Sequence, residues 1–401
     1  MPEGMPRSLR LDIARPLLRW YDRNRRDLPW RRREHDAYAQ LVAEVMLQQT
    51  QVATVVPFYE RFLKRFPTVS ALAAASMDEV LPFWAGLGYY SRARNLHAAA
   101  RKIVEIHGGR VPDTVAALMR LPGVGRYTAG AIASIAYGVR APVLDGNVGR
   151  VLMRLTAMEA DPRSPATRAH LWRLAEAILP AKRCGDFNQA LMELGATVCG
   201  PQTPACLQCP LKTYCLACRK GRAGQIPPPA KRPRALPAAV VVALLRWGER
   251  LLFVQRPAKG LWAGLWELPA EPVETGEPLA TARRRLRARL PVGVRLAARP
   301  AGTVVRHLTH REITFHIYVG TRLRGQDHNE PDPSSPANPS QGQPPFRWLT
   351  PDQARSLGIS RACEALLRFQ GGEGLRLNRR KPLPGAAVTP ADRPTAEMND
   401  S

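Results

Sequence analysis

No uninterrupted apolar run in the 401 residues is long enough to span a bilayer, so a helical membrane protein is excluded. The N-terminus lacks an apolar stretch of the kind that directs secretion, and no signal peptide is expected. Carboxylates are scarce. Asp and Glu number 33 against 59 Lys and Arg, a net charge of +26, too lopsided for a protein with small neutral partners. Such a charge suits a polyanion and diffusional steering toward it. A cysteine framework spread along the chain is missing as well. Five of the seven cysteines lie between Cys199 and Cys218, and clustered cysteines in an intracellular chain bind metal more often than they pair. Strand-like alternation is absent before that cluster, which makes the first part all-α.

What is present divides the chain into two domains and a tail. Helical patterns run at Leu9–Arg26, Ala37–Ala53, Val55–Phe66, Ser70–Ala74 and Met77–Trp84, then from Tyr89 to about His107. Further ones follow near Val148–Thr156, Pro165–Leu179 and Phe187–Val198. Residues 223–237 form a stiff, basic, proline-rich linker. Beyond it, Ala239–Leu245 and Arg250–Gln255 read as a hairpin about Gly248-Glu249, and Ile313–Val319 as another strand. Ala280–Leu290 reads as a basic helix, and Pro351–Gln370 as one or two helices, giving an α+β second domain. The proline-rich excursion 325–345 and the tail 371–401 lack a core-forming pattern and are expected to be disordered.

The stretch Leu121-Pro-Gly-Val-Gly-Arg-Tyr127 joins two helical runs through a break. Gly123 and Gly125 permit a tight turn, and the start of the second helix offers backbone N–H groups to an anion. Such a helix-hairpin-helix grips a phosphate without reading bases; an ordinary αα-corner with a glycine turn is the alternative. Two acids stand out. Glu44 sits among apolar residues in mid-helix, where burial would raise its pKa toward that of a general acid; a helix-edge surface glutamate is equally consistent with the periodicity. Asp145, in Val143-Leu-Asp-Gly-Asn-Val148, is placed as an N-cap and would be held rigidly and ionised. A buried acid facing a fixed carboxylate suits glycosidic-bond cleavage. Cys199, Cys206, Cys209 and Cys215 have the spacing C-x6-C-x2-C-x5-C, able to hold a [4Fe–4S] cluster or zinc, with Cys218 an alternative fourth ligand. Cys184 and Cys363 read as structural thiols.

Residues 9–222 resemble the helix-hairpin-helix DNA glycosylases with an iron–sulfur loop, the endonuclease III group, and within it the adenine DNA glycosylases of the MutY type. The resemblance rests on Asp27-Leu-Pro-Trp-Arg31, Glu44–Gln51, Gly86-Leu-Gly-Tyr-Tyr-Ser91, Leu121–Gly130, Leu144-Asp-Gly-Asn147 and the four cysteines. It implies an all-α glycosylase domain with an iron–sulfur loop at 199–215, and a smaller α+β domain at 238–370 of Nudix-like fold. The implied activity is monofunctional removal of adenine mispaired with 8-oxoguanine or guanine in duplex DNA, by a monomeric, cytoplasmic, nucleoid-associated enzyme carrying a [4Fe–4S] cluster. Mismatch-specific thymine or pyrimidine glycosylases of the same fold, and a non-catalytic DNA-binding scaffold, are the alternatives. Bifunctional relatives carry a lysine where this chain has Tyr127, so no amine is available for lyase chemistry. By the same resemblance Glu44 protonates N7 of adenine, Asp145 stabilises the sugar cation, and Tyr127 and Asn147 orient carboxylate and water. Gln49 and Tyr89 enter the duplex at the lesion, and Arg31, Gly123, Gly125, Arg126, Arg140 and the loop cations Lys212, Arg219 and Lys220 contact it.

The stretch 259–269 leads into a Nudix box, yet the following helix is arginine-rich and cannot hold magnesium, so hydrolase activity is not expected. His307-Leu-Thr-His310 stands where the family reads 8-oxoguanine through Phe-Ser-His, which implicates Thr309 and His310. His307, His310 and His316 lack the carboxylate pattern of a metal site.

Overall fold

The computed structural model describes residues 13–229, 235–257, 260–290, 294–308, 310–322 and 345–369, together with the backbone of Ala386–Thr389. Thr309, Lys259, residues 1–12 and the greater part of the excursion and tail lie outside the described residues. The chain forms two compact units, Met1–Met77 with Ser91–Lys231 and Asp78–Tyr90 with Arg232–Ser401. The segment Asp78–Tyr90 thus groups with the second unit, although in sequence it lies within the first.

The first unit is built from helices alone. Its innermost helix, Ala37–Leu47, is buried at every position from Ala37 to Met46, the mark of a helix enclosed on all sides. Asp36 caps it by accepting from the Ala39 N–H at 2.9 Å. It packs on Arg126–Tyr137, which in turn packs on Cys184–Thr197; that helix also meets Gly146–Leu155 and Ala14–Asn24. The core between them joins Leu17 and Tyr21 to Val148, Leu152, Phe187, Leu191 and Leu194. Three glycines let these helices approach closely. A Cβ at Gly130 would lie 2.3 Å from the Pro142 carbonyl oxygen, one at Gly185 2.4 Å from that of Ser134, and one at Gly195 2.6 Å from the Asn147 Cβ.

The helix expected from Ala37 to Ala53 stops short, and its last residues belong to the helix expected from Val55 to Phe66. The first ends at Leu47 and the next runs Val52–Arg65, because Gln49 adopts a left-handed backbone (φ +57°) that no α-helix contains.

The second unit is a sheet between helices. Strand β1 (Leu236–Trp247) pairs in parallel with β7 (Arg311–Arg322) and turns through Gly248-Glu249 into antiparallel β2 (Arg250–Gln255), with Arg246 opposite Leu251. Further antiparallel pairings add β3 (Trp266–Glu267) and β8 (Phe346–Leu349) to β2, and β4 (Ala270–Val273) to β1. In the same way β5 (Val294–Leu296) and β6 (Gly302–His307) pair with β7, and β9 (Ala386–Thr389) with β6. Residue alternation on β1 splits the core. Val241, Ala243 and Leu245 pack on the Leu279–Arg289 helix, whereas Val242 and Leu244 pack on the face covered by Pro351–Leu357 and Arg361–Leu367. The unit is α+β.

Gly130→Ala should therefore lower unfolding stability by about 1–3 kcal/mol in denaturant titrations, as overpacking does. Gly125→Ala, with no atom within 4 Å of its added Cβ, should leave the midpoint nearly unchanged. Equal losses would contradict this packing account.

Candidate active site

The hairpin of the first unit turns at Gly123, whose φ of +75° and 2.6 Å approach to the Asn95 Cβ leave no room for a side chain. Gly125 differs: its φ of −88° is ordinary and the space beside it is open. It is the N-cap of Arg126–Tyr137, and no side chain caps that helix start, so the first-turn N–H groups face outward where an anion is favoured. Arg126 lies over the Trp172 ring at 4.0 Å.

Behind the hairpin lies a cavity of about 1570 Å³ lined by Glu44, Gln49, Tyr127, Asp145 and Asn147. Glu44 is 5% exposed, and its Oε2 is buried without a hydrogen-bond partner. Burial pushes its pKa up to about 7; the Tyr127 hydroxyl opposes the shift, and the Asp145 charge adds to it. Burial also drives the Tyr127 phenol far above its ordinary value, so it stays protonated, and its hydroxyl donates to the Met192 Sδ at 3.2 Å.

Asp145 caps Gly146–Leu155, its Oδ1 accepting from the Val148 N–H at 2.7 Å and its Oδ2 from the Asn147 amide at 3.0 Å. Burial raises its pKa, and these bonds with the Arg150 charge pull it back. Arg150 continues the chain of contacts: Nη2 donates to the Asn147 Oδ1 and the Gly195 carbonyl at 2.8 Å, and Nε to the Cys199 carbonyl at 2.8 Å.

A third carboxyl group in the wall went unread in the sequence. Glu193, its side chain 1% exposed, receives Arg26 Nε at 2.7 Å and Arg31 Nη2 at 2.8 Å. Burial would raise its pKa, but the hydrogen bonds from Arg26 and Arg31 bring it down to about 2. The only hint was an acid in another apolar helical stretch, the same signal that marked Glu44. Arg31, expected on the duplex, is turned inward. It also donates to the Gln189 Oε1 at 3.3 Å and the Arg26 carbonyl at 2.8 Å, and helps line the cavity. Arg140 stays exposed while donating to the Glu176 and Leu179 carbonyls at the end of Pro165–Ile178. Lys212, Arg219 and Lys220 are exposed.

The thiols of Cys199, Cys206, Cys209 and Cys215 are close neighbours. Burial raises Cys209 to about 12 and also lifts Cys206 and Cys215, with Cys218, the alternative fourth ligand, adding to the shift at Cys206 and donating its N–H to the Cys215 Sγ at 3.4 Å. The buried Arg154 guanidinium donates to the Cys199 Sγ at 3.2 Å and to the Gly200 and Pro201 carbonyls. Among the described residues, no three or more His, Cys, Asp or Glu converge tightly enough to hold a single metal ion. Four thiols of this kind are donor chemistry shared by iron–sulfur clusters and zinc sites.

In the second unit, Tyr89 is 43% exposed on left-handed backbone (φ +49°). His307 pairs with Glu312 at 3.0 Å, and the Leu308 N–H donates to the Arg311 carbonyl at 2.7 Å, closing a β6–β7 turn on which His310 is exposed. Thr309, between them, is outside the described residues. Burial lowers the His316 pKa. On the arginine-rich helix, Arg289 and Arg285 reach the buried Glu271 at 2.8 and 3.1 Å, and Arg285 also binds Glu277.

Because folded Glu44 keeps its proton up to about pH 7 while the unfolded residue ionises near 4.5, its contribution to stability falls as pH rises through that window. Glu44→Gln should thus gain up to about 3 kcal/mol over the parent at pH 8 and almost nothing at pH 4. A pH-independent difference in denaturant midpoints would contradict this burial. Gln49→Gly, relieving the left-handed strain, should gain about 1 kcal/mol in the same assay.

The family description "HhH-GPD superfamily base excision DNA repair protein" matches residues 42–177, and "NUDIX domain" matches residues 240–369. The chain is 41% identical to the adenine DNA glycosylase of Homo sapiens over 89% of this chain and 73% of that one. Against the Rattus norvegicus protein it is 40% identical, covering 90% and 80%. A thermostable thymine-DNA glycosylase structure aligns with 31% identity and a TM-score of 0.47 over 52% of this chain and 95% of that chain. Joined to one architecture of an all-α glycosylase unit and a Nudix-like unit, these likenesses place the chain in the adenine DNA glycosylase family.

Proposed function

We propose that this base-excision glycosylase hydrolyses the N-glycosidic bond of adenine mispaired with 8-oxoguanine or guanine and leaves an abasic site. The carrying observation is the pair of unlike carboxyls in one cavity: Glu44, protonated near neutrality, and Asp145, held by the Val148 and Asn147 donors. The extruded base enters between Tyr127 and the Arg26–Glu193–Arg31 wall. Glu44 delivers its proton to N7, and the C1′–N9 electrons leave with the base. Asp145 lies where the sugar becomes cationic and stabilises it. Water then adds to C1′, and its proton restores Glu44. Since Tyr127 supplies no amine, no Schiff base forms and the strand stays intact.

Residues 9–222 carry the excision, and residues 238–370, after the 223–237 linker, read the opposite base through Thr309 and His310. Gly123, Gly125 and the exposed helix start grip the phosphate, while Gln49 and Tyr89 fill the duplex where adenine departs. Cys199, Cys206, Cys209 and Cys215 hold a [4Fe–4S] cluster, which supplies a fixed, charged scaffold for the loop bearing Lys212, Arg219 and Lys220. A cytoplasmic, nucleoid-associated monomer fits this substrate and the chain's charge.

On a labelled duplex with one 8-oxoguanine·adenine pair, breaks are expected only after alkali, on the adenine strand, and faster than opposite guanine. Breaks without alkali, or tight binding without adenine release, would overturn the reading. In single turnovers the rate should fall about tenfold per pH unit above 7, as Glu44 loses the proton it must donate. A rate flat from pH 6 to 9 would remove Glu44 as the acid.

A further inference from the structure

Arg92 is buried to 7% exposure on the Ser91–His107 helix. Its Nη1 donates to the carbonyls of Val45 at 3.0 Å, Met46 at 2.7 Å and Gln48 at 2.5 Å, and its Nη2 to the Thr50 Oγ at 3.1 Å. These acceptors lie at the C-terminal end of the helix that carries Glu44 and on both sides of Gln49. The end of a helix leaves its last carbonyls unpaired and carries partial negative charge, which a guanidinium satisfies on both counts. Gln49 meanwhile has φ +57° and lines the cavity. A non-glycine residue is unfavourable in that region and persists only when its surroundings over-determine it. Its two neighbours, Gln48 and Thr50, are tied to one buried side chain.

We propose that Arg92 is a positioning residue for base extrusion: it clamps the Gln48–Thr50 turn and so holds Gln49 in the conformation that occupies the gap left by the departing base. The proposal rests on the reading of the cavity as a base-extrusion site. Arg92 touches neither base nor sugar, and its effect passes through Gln49. Lysine cannot replace it fully, since one ammonium lacks the planar fork that reaches both the carbonyl group and Thr50.

The test compares single-turnover adenine release from two duplexes. One holds adenine opposite guanine; in the other adenine faces a tetrahydrofuran abasic analogue, where no partner base retains it. Arg92→Met should slow release about 10- to 100-fold on the first duplex and about 3-fold or less on the second, because extrusion there is already eased. Arg92→Lys should fall between parent and Arg92→Met, and it carries the test should Arg92→Met fail to fold. Adding Arg92→Met (or Arg92→Lys) to Gln49→Gly should cost little beyond Gln49→Gly alone, since both act on one turn. Equal slowing on both duplexes, or additive losses in the double variant, would overturn the proposal and reduce Arg92 to a helix-end clamp. Parent protein that releases adenine from neither duplex would overturn the extrusion reading itself, and this proposal with it.

Discussion

A carboxyl group kept out of water without a partner for one of its oxygens is the constraint around which the first unit is arranged. Ionising Glu44 there is costly, so the group keeps its proton near neutrality. The helix that carries Glu44 is buried at every position from Ala37 to Met46, and its neighbours are themselves closely packed. Gly130, Gly185 and Gly195 bring helix backbones against the Pro142 carbonyl, the Ser134 carbonyl and Asn147. The Gly130 contact bears on the loop that ends in Asp145, and the Gly195 contact on the helix that Asp145 caps. The same close packing therefore bears on the placement of the second carboxylate, Asp145.

The cavity wall holds three carboxyl groups in three electrostatic states, and local hydrogen bonding distinguishes them. Glu193 is as buried as Glu44, yet two guanidiniums bring it to about 2. Glu44 has only the Tyr127 hydroxyl in opposition and rises to about 7. Asp145 is raised by burial and restrained by an N-cap bond, an amide and a nearby arginine. Burial alone is thus a poor guide to role; donors decide which acid is a proton source and which is a permanent anion. The Arg26–Glu193–Arg31 group is better understood as orientation than as stability, because desolvating three charges offsets much of their attraction.

The all-α and α+β division, the hairpin and the residues that converge on the cavity were legible because each depends on local residue type: glycine where a turn needs it, aspartate before a helix, acid within an apolar helix. What escaped depends on distant partners. The break at Gln49 was invisible because Leu47–Val52 keeps a helical pattern, and the left-handed residue is held by Arg92 more than forty residues along. Arg31 read as a surface cation, yet it faces inward because its acceptors, Glu193 and Gln189, come from another helix. Strands β4 and β5 are too short to display alternation. The grouping of Asp78–Tyr90 with the second unit is a tertiary fact that no linker composition records.

The second unit turns a comparable acid environment to a different end. A Nudix-like sheet with acidic residues beside its helix is suited to a divalent ion, and that ion would compete with guanidinium for the same carboxylate oxygens. Here Arg285 and Arg289 reach Glu271 from the helix, and Arg285 also engages Glu277, so the acids are neutralised from within the chain. Arginine makes this replacement durable: its charge does not titrate in any accessible range, and its fork spans two acceptors at once. The exposed Arg284 and Arg287 on the same helix then add positive field to a chain already at +26. An arginine-bearing helix at this place therefore suits a polyanionic partner better than a divalent ion.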